Sequence, residues 1–182
     1  MNGATLPLLA LLSTAAAAST AAQQSPAAGP PPVRAVFAII DSAGARAGQV
    51  TAVQNPDGVL LQVFATGLTP GSHGLHLHAS AACEPPGFQS AGIHFNPEGR
   101  QHGTRNPAGP HAGDLANLVA NDKGEARAQV VIPGVTLTPG EHSIGAPGSA
   151  LVIHAMADDE LTDPTGNSGA RIGCAVLSIA TP

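Results

Sequence analysis

The sequence predicts an all-β domain: eight short antiparallel strands in a Greek-key sandwich or barrel, with two long functional loops. Three observations predict it. Apolar residues alternate over short runs, the period of a half-buried strand. Turn residues separate those runs, drawn from 22 Gly and 17 Pro, which also disfavour long helices. A sustained 3.6-residue period is almost absent, and a set of short strands without helices packs as sheet on sheet or as a closed sheet. With no Trp, no Tyr and only four Phe, the core has to be built from Val, Leu, Ile and Ala.

Along the chain, Leu6–Ala18 is apolar and followed by small residues, the pattern of an export signal. Ala16-Ala17-Ala18 or Thr20-Ala21-Ala22 precedes the expected cut, so residues 1–22 read as a signal peptide. The run falls short of the ~20 residues a spanning helix needs, so no membrane attachment is expected after cleavage. Residues 23–32 (QQSPAAGPPP) read as a Pro/Ala-rich linker. The domain then occupies 33–182, and the expected location is periplasmic or secreted.

Strands are expected at 33–39, 49–54, 59–65, 74–78, 115–120, 125–132, 150–155 and 172–179. Asn55-Pro56-Asp57-Gly58 and Asn121-Asp122-Lys123-Gly124 turn the chain between neighbours. Two connections exceed hairpin length: about 35 residues from His78 to Asp114 and about 15 from Ala155 to Arg171, a length that usually marks function. Cys83 and Cys174 are the two cysteines. In an oxidising compartment such a pair is expected to be bridged, closing a loop of roughly 90 residues. Formal net charge is −5, and no basic run occurs. Binding to nucleic acid or to an anionic lipid surface is therefore not expected.

Eight His are an excess in a chain with 10% charged residues. His76 and His78 sit two apart in a strand-like segment, so both rings face one side, roughly 6–7 Å apart at the backbone. His154, in ALVIHA, can add a third nitrogen from a neighbouring strand. An all-imidazole site suits copper or zinc, copper binding more tightly. His94, His102, His111 and Asp114 lie in the first long loop; three imidazoles and one carboxylate satisfy a four-coordinate, structural zinc. A lone His-x-His or a lone loop His means little. The joint arrangement carries the reading.

Five separated segments sharpen it: GSHGLHLH (71–78), AGIHFNP (91–97), HG (102–103) followed by HAGDL (111–115), VIHAMADD (152–159) and GNSGARIGC (166–174). In this order they resemble the copper,zinc superoxide dismutase family, specifically its exported bacterial members, over about residues 33–180. The resemblance implies a β-sandwich, a class in which such enzymes are themselves a standard example. It implies Cu(I/II) held by His76, His78, His94 and His154, and Zn(II) held by His94, His102, His111 and Asp114, so that His94 is shared. Asp158 resembles a carboxylate that hydrogen-bonds the free nitrogens of His76 and His102. Arg171 resembles the cation that guides superoxide, and His94 resembles the group that releases and regains its copper bond and supplies a proton. His73 resembles a structural histidine, and His142 reads as an exposed turn residue. A homodimer is an assembly some relatives adopt.

The chain departs from the family in places. Residues 158–171 contain no Lys, where many relatives carry one, so guidance is either weaker than in those relatives or supplied by Arg100, Arg105 or Lys123. Ile93 and Ala175 stand where Gly or Pro, and Gly, are common. A metal store on the same scaffold is the competing reading; Arg171 argues against it, because storage needs no anion guide.

Overall fold

The computed structural model describes residue 1 and residues 32–179. The expected signal peptide and linker fall outside the described residues, apart from Met1 and Pro32. Among the described residues, nine strands form one antiparallel sheet: β1 (Arg34–Asp41), β2 (Arg46–Asn55), β3 (Gly58–Ala65), β4 (Gly71–His73), β5 (Leu75–His78), β6 (Leu118–Ala120), β7 (Ala126–Pro133), β8 (Ser149–His154) and β9 (Arg171–Leu177). Their order in space is β4-β6-β7-β3-β2-β1-β9-β8-β5. The two edge strands, β4 and β5, are joined by the single residue Gly74, so the sheet curls into a nearly closed barrel. Residues 66–70 carry the chain from β3 past β7 and β6 to β4, the jump of a Greek key.

The strand count differs from the eight expected. The added strand is β4, which lies before the one expected at 74–78 and is set off from β5 by Gly74, whose amide donates to the Met156 carbonyl at 2.8 Å and whose carbonyl accepts from His154 at 2.9 Å. A side chain there would meet Ser168 at 2.8 Å, so only glycine passes. The strand expected from residue 115 begins at Leu118. Its first residues have other partners: the Leu115 amide donates to the Leu75 carbonyl at 3.3 Å, and the Asn117 side chain clamps the Asp158 backbone through two bonds of 2.8 and 2.9 Å.

Alternate residues point into the barrel, where Leu61, Val63, Leu75, Leu77, Leu151, Ile153 and Leu177 form the core. β5 and β8 are buried along their whole length, because their outer face is covered as well. Phe88, Ala91 and the Cys83–Cys174 disulfide pack there on Ala150 and Val152. His76, His78 and His154 lie on this covered outer face.

Candidate metal centre

The β5–β8 register places His76 opposite Val152 and His78 opposite Ala150. By the same register His154 falls opposite Gly74. His76, His78 and His154 therefore share one face by strand parity alone. On the far side of β8 the β9 pairing skips a residue: Ile153 faces Gly173, but His154 faces Arg171. That bulge moves Arg171 from the core-facing parity to the face of His154, the kind of re-aiming bulges perform beside active sites. The loop between β5 and β6 folds back to bring His94 opposite His78.

Each of these four imidazoles has one anchored nitrogen. His76 Nε2 donates to Asp158 Oδ2 at 2.8 Å. His78 Nδ1 donates to the Gly92 carbonyl at 2.9 Å. His154 Nδ1 faces Ser168 Oγ at 3.0 Å and the Gly169 carbonyl at 3.2 Å. His94 Nδ1 faces Asp114 Oδ1 at 2.9 Å. The other nitrogens, His76 Nδ1, His78 Nε2, His94 Nε2 and His154 Nε2, are buried without any hydrogen-bond partner among the described residues. Ligand atoms of the four residues lie within 4.8 Å of one another. Four converging orphan nitrogens would be costly in a dry interior, and a metal ion resolves them together.

The adjoining cluster is built around Asp114. Its Oδ1 lies 2.9 Å from His94 Nδ1, 3.0 Å from His102 Nδ1 and 3.2 Å from His111 Nδ1, and His94 and His111 Nδ1 are 3.3 Å apart. A tetrahedral ion with bonds of ~2.0 Å has ligand–ligand edges of about 3.3 Å, so the spacing fits. Asp114 Oδ2 is held by the amides of Gly103 and His111, both at 2.9 Å. His76 also comes near His94, His102 and Asp114, but its Nε2 is taken by Asp158. Asp158 Oδ1 accepts from His102 Nε2 at 3.0 Å, so one carboxylate orients a ring in each cluster.

Electrostatics separates the two clusters. Burial lowers His94 to about 4 and His154 to about 3, the latter with help from neighbouring His76, and pushes His78 far down. These rings are neutral and ready to ligate. For His102, burial is outweighed by hydrogen bonds to Asp114 and Asp158, which raise it to about 9. Burial opposes ionisation of Asp114 and Asp158, yet hydrogen bonds from His102 with His94, and from His102 with His76, hold both far below the carboxylate range.

Arg171 donates from Nη1 to the Phe88 carbonyl at 2.8 Å and from Nη2 to the Gly92 carbonyl at 2.7 Å. Gly92 O thus holds both Arg171 and His78. Arg171 and His94 line a cavity of about 280 Å³.

Residues 46–177 match the family described as Copper/zinc superoxide dismutase (SODC). The chain belongs to that family. Superoxide dismutase [Cu-Zn] 2 of Aquifex aeolicus (strain VF5) is 43% identical over 148 residues, covering 80% of this chain and 86% of that protein. Superoxide dismutase [Cu-Zn] of Caulobacter vibrioides is 41% identical over 138 residues, covering 74% and 79%. The crystal structure of a double mutant of a SOD-like protein from Bacillus subtilis superposes with a TM-score of 0.76 at 40% identity, covering 79% of this chain and 97% of that one.

The family's two-metal arrangement is what the residues here can hold. All seven predicted ligands converge, as does Asp158. Cys83 and Cys174 are bridged, with Cα atoms 5.8 Å apart. His73 is buried, its Nδ1 2.7 Å from the His154 carbonyl and its Nε2 2.8 Å from the Thr69 carbonyl. His142 is exposed in a turn, 3.7 Å from Glu98. Sequence reasoning missed Ser168, Asn117, the Gly92 carbonyl and Asp163, whose Oδ1 accepts the His102 amide at 2.6 Å. Each acts through a loop contact with no periodic signal.

Proposed function

We infer that the chain dismutates superoxide: two superoxide anions and two protons become one dioxygen and one hydrogen peroxide. The observation that carries this is the set of four unpartnered imidazole nitrogens beside the Asp114 cluster, with His94 in both. His76, His78, His94 and His154 would hold copper, and His94, His102, His111 and Asp114 would hold zinc. Copper so held supplies the one-electron oxidation and reduction, and zinc supplies none.

The remaining work belongs to the chain. Arg171 presents a permanent positive charge to the anion in the cavity, held in place by the Phe88 and Gly92 carbonyls. Burial lowers its pKa, but a guanidinium remains charged at neutral pH. His94 Nε2 is the atom able to hold a proton for the departing peroxide, because it faces the copper-type nitrogens. His94 Nδ1 stays fixed in the Asp114 cluster, so the ring would keep its orientation while Nε2 takes up or gives up a proton.

The test is superoxide decay by stopped flow, on protein loaded with both metals and assayed for each. Decay should scale with bound copper and approach ~10⁸–10⁹ M⁻¹s⁻¹, the diffusional range for which superoxide dismutases are a standard example. Full occupancy of both sites with no decay above free-copper controls would leave a metal carrier.

Export is part of the proposal. The apolar Leu6–Ala18 run supports it, and so does the Cys83–Cys174 bridge, since such bonds persist outside the reducing cytosol. N-terminal sequencing of protein from the periplasm or medium should find a start after Ala18 or Ala22; an intact Met1 contradicts export.

A further inference from the structure

We propose that Arg100 is a second anion-guiding residue, working with Arg171 at the mouth of the metal centre. This rests on the dismutase reading above and addresses a gap in it: a chain of net charge −5 draws in an anion without a Lys anywhere in residues 158–171. The sequence leaves Arg100, Arg105 and Lys123 as sources of positive charge. The structure selects among them. Arg100 lines the same cavity of about 280 Å³ as Arg171, with His94 in its wall. Lys123 sits in the turn between β6 and β7, and neither it nor Arg105 reaches that cavity.

Arg100 is also held in place, unlike an ordinary surface arginine. Its amide donates to Asn96 Oδ1 at 3.0 Å and its carbonyl accepts from Asn96 Nδ2 at 2.8 Å, so one side chain clamps both sides of its backbone. Its Nη1 donates to the Gly109 carbonyl at 2.9 Å. Nε and Nη2 have no protein partner among the described residues, and no carboxylate lies within ion-pair distance of the guanidinium there. A fixed charge with free N–H groups suits transient contact with a small anion.

The other charged group lining the cavity is Asp163. Its carboxylate is already engaged by the His102 amide and lies 3.9 Å from His111 Nε2. Two guanidiniums against one carboxylate leave the cavity with a positive formal charge, while the whole molecule is negative. Ile93, 77% exposed, forms an apolar lip on the same cavity. A low-dielectric wall beside fixed charge focuses the field, and such focusing raises association rates by ~10–10³-fold in total.

The experiment compares Arg100→Gln and Arg100→Lys with the parent, with copper and zinc content measured on each sample. At ~10 mM ionic strength the Debye length is ~30 Å, and Arg100→Gln should lower kcat/KM for superoxide by about 3–10-fold. The deficit should vanish toward 1 M salt, where the Debye length is ~3 Å, and Arg100→Lys should recover most of it. A salt-independent loss that Lys does not rescue would make Arg100 merely structural and overturn the proposal, as would no loss at all. A second readout needs no turnover. In the reduced, diamagnetic holo protein, nitrate should shift the Nε–H resonances of Arg100 and Arg171 together. A shift at Arg171 alone would remove Arg100 from the path. Should the parent show no dismutation, the dismutase reading fails by itself, and the nitrate titration still decides whether the two arginines share an anion site.

Discussion

Asp158 ties the two clusters together, and its replacement by Asn tests how. The carboxylate accepts from His76 at Oδ2 (2.8 Å) and from His102 at Oδ1 (3.0 Å). Oδ1 also takes the Glu160 amide at 2.6 Å. In Asp158→Asn the amide oxygen should therefore stay at the Oδ1 position, where two donors converge. The NH₂ group then faces His76 Nε2–H, donor against donor. His76 must rotate or move its proton to Nδ1, the nitrogen a copper ion needs. Loss of such an outer partner costs ~10–100-fold in metal affinity, or about 1.4–2.8 kcal/mol. Copper affinity should fall by that factor, and zinc affinity should fall less. Gly166→Ala provides the mirror experiment. Gly166 has φ of +61°, and a Cβ there would collide with the Asp158 carboxylate and come within 2.6 Å of His102 Nε2. This variant should weaken zinc more than copper. Both affinities are read by competition with a chelator of known strength at neutral pH. Affinities within twofold of the parent in both variants, or the two preferences reversed, would refute the shared-carboxylate argument.

Replacing His154 with Ala should remove copper, at least to the ~10–100-fold that an outer partner alone is worth, while zinc content measured on the same sample stays near the parent's; equal loss of both metals contradicts two sites. Zinc loading of metal-free protein at pH 7 should release the proton held by His102, raised to about 9, which must leave for the ring to ligate, whereas His94 and His154, lowered to about 4 and 3, have almost none to release; zinc loading should therefore release more protons than copper loading, and calorimetry in buffers of different ionisation heat reads both. The same raised value gives the metal-free protein stability that is complete below about pH 6.5 and lost as pH rises through about 9, whereas the depressed Asp114 and Asp158 contribute stability that is present above about pH 4 and lost in acid. Thermal or denaturant midpoints against pH follow both arms, and stability flat from pH 6 to 10 contradicts the first. Cys83→Ser opens a bridge of sequence separation 91, for which loop closure gives an upper figure of ~4.7 kcal/mol; the variant should lose a few kcal/mol in urea unfolding, and an unchanged midpoint contradicts the bridge.

Much of this was legible in the sequence because strands and turns write periodic signals. Alternating Val, Leu and Ile mark β3 and β7, and the two-residue spacing of His76 and His78 fixes their common face. β4 was not legible: Gly71-Ser72-His73 follows Pro70, has no apolar alternation, and pairs over only three residues with β6. The late start of β6 was hidden for a related reason, since Asn117 is drawn to the Asp158 backbone by a contact 41 residues away. The loop ligands were legible as a zinc-type donor set in one long loop, but the sharing of His94 between two metals came only through resemblance, as nothing in the spacing of His94, His102 and His111 specifies how they converge. The bulge that brings Arg171 beside His154 left no mark either, being a register shift between strands and not a property of either one.

The central claim is that one imidazole serves two metals, and diffraction from crystals of the copper- and zinc-loaded protein, recorded at both absorption edges, tests it most directly. The account predicts a zinc peak about 2.0–2.1 Å from His94 Nδ1, close to His102, His111 and Asp114, and a separate copper peak at bonding distance from His94 Nε2, among His76, His78 and His154. A single peak at both edges, or a His94 ring bound through one nitrogen alone in the oxidised protein, would contradict it.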